Sequence, residues 1–443
     1  MRTDAAPAAT GLTASVPQTA TSQAGRFRYG WIVLLVAAAC VLIGAGTRAA
    51  PGALLLGIQA DTGWSVAEVS LAGAAGLVLL GLGGPVSGLL IDRFGIRRLT
   101  VGAMLLTAFG MGASSFSREL WQLVLLFGLV SGFGAGLVAS SLGPVIANRW
   151  FVQGRGLIVG VFGASSSAGQ LIFFPLLTVI AVTLGWRQAT LVMAVLLIAA
   201  AIPAAILLRE RPSDVGERAR GATDRTPPEP LHAEHGIMRR ATRSWTFWIL
   251  AGTFFICGAT SNGVVGQHFI AHAVDHGFTP VTASGALAVM GAFNFVGTIA
   301  SGWLTDRVDP RKLLLVYYTF RGLSLLYLPF IHDSLDIVGF AVLFGLDYIA
   351  TVPPTVALVA DTFGRRNVGI VYGWVYFAHM FGAAILAVVA GLIRDNVGNY
   401  TAAFVFAGWL AVMAGIGALT IRRPSPPEQD PAAPTAALGA GSA

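Results

Sequence analysis

The sequence predicts an all-α membrane protein with twelve transmembrane helices arranged as two bundles of six. Three observations predict this fold class. The 443 residues are 55% hydrophobic and only 11% charged, with a mean hydropathy of +0.73, which is too apolar for a soluble globular protein. Twelve long apolar runs alternate with short polar segments. A longer polar stretch, at 209–244, divides the runs into six and six.

The first bundle is predicted at 29–208. It follows a tail, 1–28, whose Ala, Thr, Ser and Pro residues predict disorder and contain no apolar core of a cleavable signal. A bilayer core requires about 20 apolar residues in a helix. Six runs are predicted to meet this requirement, at about 29–56, 66–90, 99–116, 120–147, 156–184 and 189–208.

The second bundle is predicted at 245–422. The linker before it, 209–244, is rich in Arg, Pro, Glu and His and shows no apolar face. Six further runs are predicted at about 246–271, 281–304, 313–331, 336–360, 368–393 and 402–421, followed by a disordered tail at 423–443.

The distribution of basic residues predicts the orientation in the membrane. If the amino terminus is cytoplasmic, only Arg118, Arg187 and Arg394 of the 28 Lys and Arg residues lie outside, and two more lie within helices. Basic residues concentrate in cytoplasmic loops. Both termini and the linker are therefore predicted to be cytoplasmic, in a multi-pass protein of the cell inner membrane. The net charge of +7 is explained by topology, so no nucleic-acid partner is expected.

Two charged hinges stand at equivalent places in the two halves. The first is Gly84 to Arg98, GPVSGLLIDRFGIRR, and the second is Ser301 to Lys312, SGWLTDRVDPRK. Each lies between two apolar runs and contains an Asp-Arg pair followed by more basic residues.

Glycine spacing also repeats between the halves. Gly156, Gly160 and Gly169 have the same spacing as Gly369, Gly373 and Gly382. The two repeats together indicate duplication of a six-helix unit. Parallel repeats of this kind form a two-bundle transporter whose substrate site lies between the halves near the bilayer midplane.

The hinge pattern resembles the cytoplasmic loop motif of the major facilitator superfamily, and the resemblance implies the major facilitator fold. It further implies that the hinge residues form a gating network. The residues that match are Gly88, Asp92, Arg93, Gly95, Arg97, Arg98, Asp306 and Arg307.

Within that superfamily, the first hundred residues resemble the monocarboxylate transporter family and its oxalate/formate antiporter relatives. The matching segments are Tyr29-Gly30-Trp31, Arg48, Trp64-Ser65 with Glu68-Val69-Ser70, and Gly83-Gly84-Pro85. This resemblance implies a secondary active transporter that moves a small, monocarboxylate-like organic anion by alternating access. Those families resemble one another in carrying an Arg, often with an Asp, in the eighth of the twelve runs. This chain departs from them, because its eighth run, 281–304, has only Asn294.

Three charged residues are predicted within the membrane, where each charge costs about 2.5–3.5 kcal/mol and needs a partner or a task. Arg48 suits an anionic substrate group because its planar fork matches a carboxylate, although a snorkelling Arg is an alternative. Asp347 is at the middle of the tenth predicted run, 336–360. Arg321, in the ninth run, is expected to differ from it by about 6 Å in depth along the membrane normal. This pair is either a structural lock or a proton-coupling site, in which protonation of Asp347 breaks the pair.

Weaker substrate-binding candidates are polar or aromatic residues within the apolar runs of the second half. For the histidines, the alternative is a satisfied packing residue. The candidates are Gln267, His268, Asn294, Tyr348, Tyr376 and His379.

No enzyme motif is present: the Gly/Ser-rich GASSSAG has no catalytic partner, and no phosphate-binding Gly-Lys-Ser/Thr loop exists. Two cysteines in apolar runs imply neither a disulfide framework nor a metal site. The expected partners are a small anionic substrate, a coupling proton and the lipid bilayer, with no cofactor and a monomeric chain. The alternatives are an efflux carrier for amphiphilic drugs or metabolites, or an uptake carrier for another nutrient such as a vitamin.

Overall fold

The protein was analysed as a computed structural model, which describes residues 29–139, 142–151, 155–217, 219, 234 and 236–421. The side chains at 92, 155 and 156 are also outside the description. Both predicted tails therefore lie outside the described residues, as does the middle of the predicted linker, 220–233. The residues that are described form helices and connecting turns, with no strand among them.

The described part of the first half contains seven α-helices and one π-helical segment. They are α1 (Tyr29–Thr62), α2 (Val66–Ser114), α3 (Leu120–Leu123), the π-helix Val124–Val130, α4 (Ser131–Ala139), α5 (Leu142–Trp150), α6 (Arg155–Thr183) and α7 (Trp186–Leu207).

The second half contains nine α-helices in its described part. They are α8 (Ile237–Thr242), α9 (Trp245–Gly258), α10 (Gly266–Asp275), α11 (Pro280–Thr305), α12 (Pro310–Tyr327), α13 (Ser334–Asp347), α14 (Val352–Phe363), α15 (Val368–Val397) and α16 (Thr401–Ala418). The π-helix Ala259–Val265 joins α9 to α10. Short 3₁₀ turns occur at Pro212–Val215, Leu328–Phe330 and Arg365–Asn367.

Eleven of the described helical stretches are long and apolar enough to cross a membrane. The predicted run 99–116 corresponds to the second part of α2, which is not among the eleven. Its first turn carries Arg97 and Arg98, which lower the hydropathy of the segment. The two predicted runs 66–90 and 99–116 thus belong to one helix with a break at Gly95, where φ is +81° and ψ is 166°.

Capping side chains and glycines mark the helix ends. The helices are apolar on all faces, so an amphipathic pattern in the sequence does not show where they begin and end. The start of α2 is fixed by a capping box: the Ser65 hydroxyl accepts from Glu68 N (3.2 Å), and Ser65 N donates to Glu68 Oε2 (2.8 Å). Helix α1 continues to Thr62, past the predicted end near Leu56, and stops before Gly63, whose φ is +73°.

Small residues allow close contact between helices within each half. A methyl group at Gly132 of α4 would clash with the Gly76 backbone of α2, and one at Gly322 of α12 would lie 2.6 Å from the Gly408 carbonyl oxygen of α16. Packing of backbone on backbone drives helix association in lipid, where no hydrophobic force acts between helices.

The two halves are in close contact toward the end of α1 that lies away from Tyr29. A methyl group at Gly52 of α1 would clash with the Gly266 carbonyl of α10. On the same side, the Asp395 carboxylate of α15 accepts from Val66 N (3.1 Å) and Ala67 N (2.8 Å) and so caps α2 of the other half. These contacts close that side of the space between the halves.

Candidate functional site

A central cavity lies between the two halves and is lined by residues from both. The first half contributes α1, α2, the π-helix Val124–Val130, α4 and α6. The second half contributes the π-helix Ala259–Val265, α10 and the chain that follows α13. Arg48 is the one charged residue among the described lining residues. The polar lining residues are Thr47, Arg48, Ser131, Gln170, Asn262, Gln267 and Tyr348.

The Arg48 guanidinium lies where the two halves meet. Its Nη2 donates to the Ser166 hydroxyl of α6 in the first half. It also interacts with the hydroxyl of Tyr376, which lies on α15 in the second half. A guanidinium has five N–H donors, so these two contacts leave donors for a ligand in the cavity.

A polar network surrounds Asn262 in the π-helical segment of the second half. The Asn262 amide nitrogen donates to His379 Nε2 at 2.9 Å, and its oxygen accepts from the Tyr348 hydroxyl at 3.1 Å. The His379 ring stacks on the Tyr376 ring with 5.8 Å between centroids. The structure therefore brings the predicted residues Tyr348, Tyr376 and His379 together through an asparagine that sequence reasoning missed.

Two lining residues carry buried polar atoms that have no hydrogen-bond partner. These atoms are the Thr47 hydroxyl and both atoms of the Gln267 carboxamide. Thr47 precedes Arg48 on α1, and Gln267 lies on α10 with only 3% of its surface exposed. Buried polar groups without partners are rare in folded proteins and call for an explanation.

Asp347 and Arg321 form a buried ion pair inside the second half. Arg321 Nε donates to Asp347 Oδ2 at 2.6 Å, and the two side chains are 0% and 2% exposed. Neither residue is among the cavity lining, but Tyr348, which follows Asp347, does line the cavity. Asp347 Oδ1 has no hydrogen-bond partner, so half of this carboxylate is unsatisfied.

The helix that carries Asp347 is interrupted directly after it, between α13 and α14. Pro353 and Pro354 lack the N–H groups that would continue the helical hydrogen bonds to residues four positions earlier. Arg321 Nη2 donates to the two carbonyls that lie just before these positions, those of Asp347 (2.8 Å) and Tyr348 (3.1 Å). Arg321 therefore stabilises the break as well as pairing with the carboxylate.

Asn294 connects this break to the other half. Its oxygen accepts from Ile349 N at 3.1 Å, and its amide nitrogen donates to Ser167 Oγ of α6 at 2.9 Å. The side chain is 2% exposed and outside the cavity lining. Asn294 is thus placed as a contact between α6, α11 and the α13–α14 connection.

His268, another predicted substrate-binding residue, is not among the residues that line the cavity. Both of its ring nitrogens contact protein atoms. Nε2 contacts the Ala387 carbonyl oxygen at 2.7 Å, and Nδ1 contacts the Tyr400 hydroxyl at 3.3 Å. This arrangement is that of a packing residue between α10 and α15.

The first hinge surrounds the break in α2 at Gly95. The Glu210 carboxylate accepts from Ile96 N (2.8 Å) and Arg97 N (3.0 Å) and pairs with Arg149 Nη1 at 3.1 Å. Glu210 thus caps the second part of α2, a contact that the hinge sequence does not reveal. The Asp92 side chain lies outside the described residues.

The second hinge follows α11. Asp306 is the residue after the last turn of α11, and the Arg307 guanidinium lies 4.1 Å from the Trp303 ring centroid. The remaining residues of the first hinge, Gly88, Arg93 and Arg98, lie within α2. The gating role of both hinges stays a prediction.

Comparison with protein families gives a match to the model described as Major Facilitator Superfamily. Two overlapping stretches match, residues 34–349 and 269–441. Together they cover both halves of the chain.

Individual relatives cover most of the chain at moderate identity. The chain is 29% identical over 395 residues to monocarboxylate transporter 13 of Rattus norvegicus, covering 88% of each. It is 25% identical to the uncharacterized MFS-type transporter YcxA of Bacillus subtilis (strain 168), covering 74% of this chain and 80% of that protein.

A solved structure shares the fold. It is a bacterial homolog of the human lysosomal transporter Spinster in an inward-facing and occupied conformation. It superposes with a TM-score of 0.70 at 14% identity, over 89% of this chain and 97% of that one.

Proposed function

Because this chain belongs to the Major Facilitator Superfamily and is a membrane transporter, we propose that it carries a small organic monoanion together with a proton. Transport uses alternating access of the central cavity. The proposed location is the cell inner membrane, and the distribution of basic residues supports an orientation with both termini cytoplasmic.

The observation that carries this proposal is the position of Arg48. Its guanidinium is the one charge on the described cavity wall, and it lies between helices of the two halves. A carboxylate bound there would accept two N–H bonds from the planar fork. It would also contact both halves at once, as alternating access requires of a substrate.

One cation on the wall favours a single negative charge on the substrate. The described lining contains no Asp or Glu, so an organic cation would meet only repulsion from Arg48. The similarity to proteins named monocarboxylate transporters supports the same substrate class. These points favour the anion carrier over an exporter of amphiphilic cations.

Asp347 is the proposed proton site. Its second carboxylate oxygen has no partner, and a proton on that oxygen would neutralise the charge. Arg321 would keep acceptors after protonation, because it also donates to the carbonyls of Cys257, Asp347 and Tyr348. Protonation therefore weakens the ion pair while the guanidinium keeps its hydrogen bonds to these carbonyls. Tyr348, the residue after Asp347, lines the cavity and connects the proton site to it.

Uptake into proteoliposomes tests the proposed substrate class. We expect radiolabelled lactate and pyruvate to accumulate under an inward proton gradient, and succinate and an organic cation to remain at the level of empty liposomes. A protonophore should abolish the accumulation. Transport of the cation with no uptake of either monocarboxylate would contradict the proposal.

A further inference from the structure

The Gln267 carboxamide lines the cavity and makes no hydrogen bond with the protein. The side chain is 3% exposed, and neither Oε1 nor Nε2 has a hydrogen-bond partner. It extends from α10 across to the first half, since a methyl group at Gly73 of α2 would lie 2.5 Å from Oε1. A buried donor and acceptor left without partners cost free energy, which a ligand in the cavity would recover.

Of the two amide side chains that the second half contributes to the described lining, the other one is already occupied. Asn262 donates to His379 and accepts from Tyr348. Gln267 therefore has the capacity to bind a ligand that Asn262 lacks. Because an amide presents a donor and an acceptor side by side, its best match is a neutral group that does the same.

The backbone of α10 lies beside α1 close to Arg48. Gly52 of α1 is in contact with Gly266 and the Gln267 backbone. Gly52 follows Arg48 by four residues, which corresponds to roughly 6 Å along the helix axis. Both side chains line the cavity, and this offset of about one helical turn fits a ligand chain of two to four carbons.

We propose that Gln267 is a specificity-determining residue that binds a neutral amide or hydroxyl group at the far end of the substrate. The carboxylate at the near end binds Arg48. This inference rests on the proposed function and narrows it: the substrate is a short monocarboxylate with a second, uncharged hydrogen-bonding group. An apolar tail leaves the Gln267 amide buried and unpaired, and a second carboxylate has no second cation on the described wall.

Three acids of similar shape test this proposal. Succinamate carries a terminal amide, 4-methylpentanoate replaces that amide with an isopropyl group, and succinate replaces it with a carboxylate. For the wild-type protein in proteoliposomes, we expect kcat/KM for succinamate to exceed that for each of the others by at least about tenfold. For Gln267→Leu, succinamate should lose at least about tenfold, and 4-methylpentanoate should then be the better substrate.

A second variant keeps the test valid if Gln267→Leu fails to fold. Gly73→Ala introduces a methyl group 2.5 Å from Oε1, so the amide must move while its chemistry is unchanged. Succinamate preference should fall in this variant too, and Gln267→Asn should keep part of it.

The outcomes separate this inference from the proposed function. If the wild type shows no preference for succinamate, or if neither variant alters it while Arg48 is still required, Gln267 does not determine specificity and the proposed function stands. If lactate or pyruvate enters in an Arg48-dependent way and succinamate does not, this inference alone fails. If none of these monocarboxylates enters in an Arg48-dependent way, the proposed function is wrong and this inference fails with it.

Discussion

Arg48→Lys is expected to lower kcat/KM for monocarboxylate uptake by about ten- to a hundredfold, although the charge is kept. A lysine ammonium is a point charge and cannot reproduce two parallel N–H bonds to a carboxylate. It also cannot hold Ser166 and Tyr376 while it binds the substrate, as the guanidinium of Arg48 can. Initial rates in proteoliposomes at several substrate concentrations measure the effect.

Arg187→Lys is the matched control. Arg187 pairs with Asp61 in the last turn of α1, with 37% of its side chain exposed. Exposed pairs contribute only about 0–1 kcal/mol. Its transport should be near that of the wild type. A lysine variant at position 48 with a near-normal KM would make Arg48 an interfacial residue and not a substrate ligand.

Asp347→Asn is expected to abolish accumulation driven by a proton gradient while counterflow exchange continues. Exchange needs no net proton movement, whereas accumulation requires a group that gains and loses the proton. Breaking a buried ion pair costs about 3–5 kcal/mol. The backbone carbonyls bound to Arg321 should keep the cost at the lower end, so folded protein is expected.

The double variant Asp347→Asn with Arg321→Gln separates the coupling role from a structural role. Removing both partners leaves no unpaired charge in the bundle, although the carbonyls at the α13–α14 break lose their donor. Full recovery of gradient-driven accumulation would make the pair structural. The proton would then travel through another group, of which His379 is the next candidate.

The overall organisation could be predicted because a bilayer imposes it. Long apolar runs, the polar linker and the repeated hinge and glycine patterns predicted the all-α fold of two related halves, and the fold and the family match confirm it. The breaks within helices could not be placed this way. The π-helices at Val124–Val130 and Ala259–Val265 depend on packing between helices, for which an apolar run carries no signal.

The candidate site was predictable only in part. A charge within an apolar run is conspicuous, so Arg48, Arg321 and Asp347 could be selected before their contacts were known. Asn262 had the same signal, an amide within an apolar run, and could have been selected on that ground. Ser166 and Thr47 could not, since small hydroxyl residues occur throughout these helices and only the fold determines which of them face the cavity.

Proton movement measured directly tests the central claim that a monoanion and a proton cross together. Purified protein is reconstituted into liposomes that contain a pH-sensitive dye. Lactate is added outside, with no imposed pH gradient and no membrane potential. The account predicts acidification inside the liposomes that is lost in Arg48→Lys and Asp347→Asn, in an amount that matches lactate entry one for one. Lactate entry without protein-dependent acidification would contradict it.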